Sequence, residues 1–246
     1  MQSLEEFSLP IIEEGPALAN PAVFPNTVYN AAGGQTAIKL GAVGVASTVT
    51  AQHAAGAQAL TYAYDLASVD QADAVLAIAS DSLTDTVVDG YRDLGLLGGF
   101  GITEAGITLI VERAGAAAAR GARVYGELAG YGVASDAEGV ERAMRNALEM
   151  AGVSADQVVA VWANAAGLSQ ADEPERAAIE RVFGADARVL TPKVALGEPL
   201  GAGGSLNTVL ALLAWQHGEE AGPVVVNSSS LGGTHISLVL IPADKE

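Results

Sequence analysis

The chain has 246 residues, half of them hydrophobic and few of them aromatic, enough for one large or two modest domains with a sizeable core. Its 29 acidic residues outnumber 12 basic ones, for a net charge of −17, which argues against nucleic acid and anionic membranes as partners, because both need neutralising Lys or Arg. There is no cysteine, so disulfides, thiolate zinc sites and a cysteine nucleophile are excluded. No apolar run approaches the length that spans a bilayer, and the opening stretch is acidic rather than basic and then apolar. The expectation is a soluble cytoplasmic protein whose acidic surface serves solubility.

Residues 1–23 carry Pro10, Gly15, Pro16 and Pro21 and read as an extended arm. Asn26 is the expected N-cap of a helix over Thr27–Leu40, ended by Gly41. Gly33 and Gly34 weaken that helix, so close packing against a partner backbone is expected there. Val45–Ala51 is rich in β-branched residues and reads as a strand. A sharp junction at Gln52-His53 follows, then a helix from Ala54 to about Ser68. Ala74–Ala79 reads as an apolar strand, residues 81–99 as a loop with one helical turn, Ala105–Glu112 as a buried strand and Arg113–Arg120 as a short helix.

The pattern restarts beyond Ala122. Strands are expected at Val124–Gly132, Val158–Ala163, Val189–Val194, Val224–Asn227 and His235–Ile241. Helices are expected at Glu138–Ala151, from near Pro174 to Phe183 with Asp172 or Glu173 as cap, and at Ser205–Gln216. His217 is a favourable residue at the end of the last. Strands alternating with helices predict an α/β protein with a mainly parallel sheet covered on both faces. A strand, a glycine-rich junction and a long helix recur in both halves. The expected organisation is therefore an arm (1–23), an N-terminal half (24–120) and a C-terminal half (121–246), with the boundary near Ala114–Ala122.

The second such junction is Thr191-Pro-Lys-Val-Ala-Leu-Gly-Glu-Pro-Leu-Gly-Ala-Gly-Gly-Ser-Leu206. Free backbone N–H groups and the helix dipole favour negative charge at such a place. Lys193 is expected to hold the junction by hydrogen-bonding backbone carbonyls.

Several segments resemble, in order and spacing, the motifs of β-ketoacyl synthases on a thiolase-like layered fold. Pro25 to Ala57, with Thr50-Ala-Gln-His-Ala-Ala-Gly-Ala57, is similar to the helix, strand and nucleophile elbow of that family. Phe100–Glu112 is similar to its glycine-containing strand. Ala163-Asn-Ala-Ala-Gly167 with Asp172 and Glu175, Lys193 with Gly197 and Gly201–Gly204, and Asn227-Ser-Ser-Ser-Leu-Gly-Gly-Thr-His235 resemble the three C-terminal motifs.

The resemblance implies a cysteine where this chain has His53, and histidines where it has Asn164 and Glu198. The Phe-containing gating turn corresponds to Ser229-Ser230-Leu231, and the asparagine ending that motif to His235. Lys193 is retained. A vestigial pocket made of His53, Asn164, Lys193, Glu198, Ser229, Leu231 and His235 is thereby implied.

Condensation needs a nucleophile that forms a stable thioester and donors aimed at the developing enolate. An acyl-histidine hydrolyses quickly, and an ionised Glu198 opposes negative charge. The degenerate subunits called chain-length factors also lack the cysteine, and their motifs resemble Ala165-Ala-Gly167, Asp172-Glu-Pro-Glu175, Val182-Phe-Gly184, Pro192-Lys193 and Leu210-Ala-Leu-Leu213. The resemblance implies a non-elongating subunit paired with an active ketosynthase, meeting acyl carrier protein indirectly, without cofactor or metal.

Two alternatives stand beside it. One is a repurposed hydrolase, cyclase or dehydratase using His53 and Glu198 with His235 nearby. The other is a homo-oligomeric acyl-binding protein. A metal held by His53, Glu198 and His235 is a weaker reading, and Ser228–Ser230 are expected to be loop chemistry.

Complete family members carry a long segment before the region matching Pro25, where this chain has the poorly matching residues 1–24. The N-terminal sheet is then expected to be incomplete. Val45–Ala51 and Ala74–Ala79 would pair directly, or a partner chain would cover their edges.

Overall fold

The computed structural model describes residues 2–136, 138–218 and 221–243. Met1 of the expected arm and residues 244–246 of the expected C-terminal half lie outside them. In chain order, α1 (Gln2–Glu14) and α2 (Ala31–Leu40) precede α3 (Ala55–Ser68), β1 (Ala74–Asp81), α4 (Asp85–Asp93), β2 (Ala105–Glu112) and α5 (Ala114–Ala119). Then come β3 (Glu127–Ala134), α6 (Gly139–Ala151), β4 (Ala160–Trp162), α7 (Ser169–Phe183) and β5 (Val189–Leu190). The chain closes with α8 (Pro192–Leu196), α9 (Gly203–Gln216), β6 (Val224–Ser229) and β7 (His235–Ile241).

Alternation along the last two strands builds the centre. Successive strand side chains point to opposite faces. Val224, Val226, Ile236, Leu238 and Leu240 meet Ala57, Leu60 and Ala63 of α3 and Ala211 of α9 on one face. Val225 and Val239 meet Met144 and Ala147 of α6 and Ile179 and Val182 of α7 on the other. Each fully buried Val, Leu or Ile side chain contributes roughly 1.5–3 kcal/mol, so this doubly covered sheet dominates the stability. Its order is β3-β7-β6-β4-β5. Only β6, β4 and β5 run parallel, while β3, β7 and β6 pair antiparallel, so the sheet is mixed rather than mainly parallel.

β1 and β2 form a separate antiparallel ribbon that packs on the far side of α3 and α9. The layers therefore run α6/α7, five-stranded sheet, α3/α9, ribbon. The ribbon turns Ala77 and Leu109 inward and leaves Leu76, Ile78 and Ile110 exposed, so β2 is half-buried rather than buried.

Several expected elements differ. Residues 2–14 are helical, not extended: one proline inside a helix removes a single hydrogen bond without forbidding it, and Gly15, at φ 105°, ends the segment. α2 starts at Ala31 behind Asn30, not at Thr27 behind Asn26, and Gly41 closes it in the left-handed conformation. No backbone lies close to either glycine: a Cβ on Gly33 would meet only the Thr48 hydroxyl, at 3.8 Å, and Gly34 faces open space. Val45–Ala51 forms no strand and does not pair with β1; its residues are mostly exposed, so β-branched character finds no pleated surface to pack on. The 81–99 loop contains a full helix, α4, capped by Thr84 Oγ1 accepting from the Val87 N–H. α7 begins at Ser169, five residues before Pro174. The strand expected over Val189–Val194 stops at Leu190, because Pro192 opens α8, so Lys193 sits on a short helix rather than at a strand end.

Candidate functional site

The carboxyl ends of the parallel strands β4, β5 and β6 converge beside the entry to α9, a usual position for a site in an α/β sheet. Asn164 follows β4, Ser229 ends β6, and the turn after α8 supplies Glu198. A cavity of about 590 Å³ opens there, lined by His53, Asn164, Glu198, Ser229, Leu231 and His235. The structure thus gathers six of the seven expected pocket residues around one space. The seventh, Lys193, lies just behind it. A second cavity, of about 540 Å³, lies between α7 and the β5 edge and contains none of the seven.

Lys193 and Glu198 are 1 % and 2 % exposed, and their Nζ and Oε2 atoms are 2.5 Å apart. Lys193 also donates to Asn164 Oδ1 at 3.0 Å. It therefore holds the junction through side chains, where backbone carbonyls were expected. Burial pushes the Glu198 carboxyl above its ordinary range, while the Lys193 charge and hydrogen bond pull it back. The Glu198 main chain is pinned separately: its N–H donates to Gly101 O at 2.6 Å, and its carbonyl accepts from the Thr103 N–H at 3.0 Å. Glu198 Oε1 is buried without a partner. It abuts the start of α9, where a Cβ on Gly203 would stand 2.6 Å from it. Only glycine fits there, and the helix dipole favours the carboxylate.

Asn164 acts as the clasp between strands. Its Oδ1 also accepts from the Ser229 N–H at 3.2 Å. Behind it, buried Glu175 accepts from the Asn164 N–H and from Asn227 Nδ2, at 2.8 and 3.0 Å, and burial drives the Glu175 carboxyl up. Asp172 does not cap α7 as expected but accepts from the Ala166 and Gly167 N–H groups. Gly167, at φ 98°, lets the Gly99 carbonyl approach so closely that a Cβ would stand 2.2 Å from it. That contact seats the segment carrying Phe100 over the cavity.

His53 stands at the elbow. Gln52, immediately before it, has φ 50°, a conformation a non-glycine residue rarely adopts. Its side chain accepts from the Gly232 N–H at 3.1 Å, tying the elbow to the β6–β7 turn. His53 Nε2 lies 2.9 Å from the Tyr91 hydroxyl, and its Nδ1 is buried without a partner. Burial first and the Lys193 charge second lower the ring to about 4, so it is neutral at pH 7. His235 Nδ1 lies 2.9 Å from Ser229 Oγ, and burial lowers that ring as well. His53, Glu198 and His235 do not assemble as a metal site: among the described residues no cluster of three or more potential His, Cys, Asp or Glu ligands occurs.

Tyr91 and Glu175 were missing from the expected site. Tyr91 was hidden because residues 81–99 read as loop, although Thr84 as cap, Asp85 in the first turn and Arg92 in the last were helix signals. Glu175 lies within a quoted motif, but nothing in the sequence announces that its carboxylate is buried.

A sheet and a ribbon enclosing two central helices, with a lysine-centred polar cluster at the strand ends, make up a thiolase-like layered scaffold. Residues 117–224 match the family model for the β-ketoacyl synthase C-terminal domain. Nodulation protein E of Rhizobium leguminosarum bv. trifolii is 33 % identical over 240 residues, covering 88 % of this chain and 60 % of that protein. The 3-oxoacyl-[acyl-carrier-protein] synthase 2 of Staphylococcus aureus is 26 % identical over 245 residues, covering 87 % and 61 %. The chain thus spans about three-fifths of the length of these curated relatives.

Among solved structures, a type II polyketide synthase acyl-carrier protein in complex with its ketosynthase bound to the hexaketide contains a chain that superposes with TM-score 0.90 at 24 % identity, over 98 % of this chain and 75 % of that one. The ishigamide ketosynthase/chain length factor gives 0.88 at 24 %, over 98 % and 72 %. Residues 117–224 thus match the β-ketoacyl synthase C-terminal domain, and the chain as a whole shares the thiolase-like fold of these ketosynthases.

Proposed function

We propose that this chain is a non-elongating, chain-length-factor-like subunit of a polyketide or fatty-acid-type system, paired with an active ketosynthase. One observation carries the reading: where the family resemblance implies a histidine donor, Glu198 is buried in an ion pair with Lys193. A carboxylate in that place accepts hydrogen bonds and offers none to a developing enolate. Asn164, at the other implied histidine, has its Oδ1 already engaged by Lys193 and the Ser229 N–H. His53 supplies an imidazole where a thioester-forming group is needed. The cavity meanwhile keeps apolar walls from Leu94, Leu96, Phe100 and Leu168, suited to sheltering an acyl chain.

Acyl carrier protein would dock mainly on the partner, in keeping with the chain's net charge of −17. The cytoplasm is the expected compartment, and a division into two halves near α5 is part of the same reading. His53 and Glu198 are tied to Tyr91 and Lys193 respectively, which gives an acid/base pair of those two no direct support. The reading is tested by supplying the chain with an acyl-carrier primer and a malonyl-carrier extender. Alone it should form no carbon–carbon bond, and with an active ketosynthase from the same organism elongation should appear. Extension by this chain alone would refute the reading.

A further inference from the structure

We propose that Ser229 and His235 form a nucleophile–base pair that accepts and hydrolyses acyl groups presented as esters or thioesters in the cavity. The two residues face each other across the β6–β7 ladder, at the last position of one strand and the first of the next. Their Oγ and Nδ1 atoms lie 2.9 Å apart, within the reach a general base needs, and both residues line the 590 Å³ cavity. Cross-strand pairing holds the two Cα atoms in fixed register, so the contact does not depend on a flexible loop.

The imidazole is oriented from behind. It packs closely on the first residue of α6, where a Cβ on Gly139 would stand 2.4 Å from its Cδ2, so only glycine admits the ring in this position. The positive end of a 13-residue helix and burial both disfavour the imidazolium, leaving a neutral ring that accepts the serine proton. Ser229 is held by its own N–H to Asn164 Oδ1, and the Ser230–Thr234 turn closes on itself through Ser230 N–H to Thr234 O at 2.8 Å. His53 lines the same cavity, and its backbone carbonyl accepts from Ser228 Oγ beside the nucleophile.

The chemistry balances without an added oxidant or reductant. Ser229 Oγ attacks the carbonyl carbon as its proton passes to His235 Nδ1. The carbon–sulfur or carbon–oxygen bond breaks, and the leaving sulfur or oxygen takes that proton. Water then attacks the acyl-serine, delivers a proton through His235 to Ser229 Oγ, and releases the carboxylic acid. The thioester half of the substrate class rests on the ketosynthase-subunit reading. The reactivity of Ser229 does not.

The test treats the whole chain with a fluorophosphonate probe and, separately, with p-nitrophenyl butyrate and a butyryl-pantetheine thioester. One equivalent of probe should attach at Ser229 by peptide mapping, and both substrates should be hydrolysed. Ser229→Ala should abolish labelling and turnover. His235→Gln should slow both by about 100-fold or more, with an unchanged circular dichroism spectrum. A wild-type chain that does not label, label on another residue, or full turnover by Ser229→Ala would overturn the proposal. None of these outcomes depends on whether a ketosynthase partner binds.

Discussion

Replacing Lys193 by methionine removes the ammonium but keeps most of the side-chain volume, which isolates the electrostatic role of the pair. Lys193 and Glu198 are 1 % and 2 % exposed, so water cannot enter to solvate the carboxylate left behind, and Glu198 Oε1 already lacks a partner. Breaking a buried pair from one side costs about 3–5 kcal/mol. In a domain of this size each kcal/mol moves Tm by about 2–4 °C, so a fall of about 6–20 °C is expected.

Equilibrium urea unfolding followed by the fluorescence of Trp162 and Trp215 measures it. The double substitution Lys193→Met with Glu198→Met should recover most of the loss, because a well-packed apolar pair replaces a buried ion pair at little or no cost. The loss should also depend on pH. Glu198 is raised above 4.5 in the fold, so its contribution is greatest below that value and falls as pH rises through the folded value. Without Lys193 the carboxyl rises further, and the deficit of Lys193→Met should be larger at pH 8 than at pH 5. A loss below about 1 kcal/mol, or a double variant no more stable than the single one, would refute the reasoning.

Two further outcomes follow from the same geometry. With a folded value of about 4 against 6.5, His53 binds a proton in the unfolded chain that it does not bind in the fold. That contribution, at most about 3 kcal/mol, is lost as pH falls from 6.5 towards 4, and an NMR titration should show His53 uncharged at pH 6. Gly203→Ala drives a methyl group to 2.6 Å from Glu198 Oε1 and should cost about 1–3 kcal/mol in urea unfolding, whereas Gly34→Ala, with open space in an exposed helix, should add about 0.5–1 kcal/mol.

Much of the architecture was legible because burial imposes periodicity. The strand pair of Val224–Asn227 and His235–Ile241, the helix before Gly152 and the strand Ala105–Glu112 all announce themselves that way. Val45–Ala51 misleads for the complementary reason: β-branched residues state a preference for a pleated surface, and the surface itself is not in the local sequence. The prolines at Pro10 and Pro192 mislead in opposite directions. The first did not prevent a helix, and the second began one inside an expected strand. At the site, the motifs named the residues that gather around the cavity, but not their partners. The Tyr91 contact to His53 joins residues far apart in the chain, while Lys193–Glu198 and Ser229–His235 are near neighbours that meet only because the turn after α8 and the β6–β7 hairpin fold back, so no regular helix or strand period encodes any of them.

The most direct test of the central claim is the mass of the complex formed when this chain is co-expressed with an active ketosynthase from the same organism. Native mass spectrometry and size-exclusion chromatography with light scattering should find one copy of each, and deletion of this chain in the producing organism should change the length distribution of the products. A solitary homodimer, with the product profile unchanged on deletion, would contradict it.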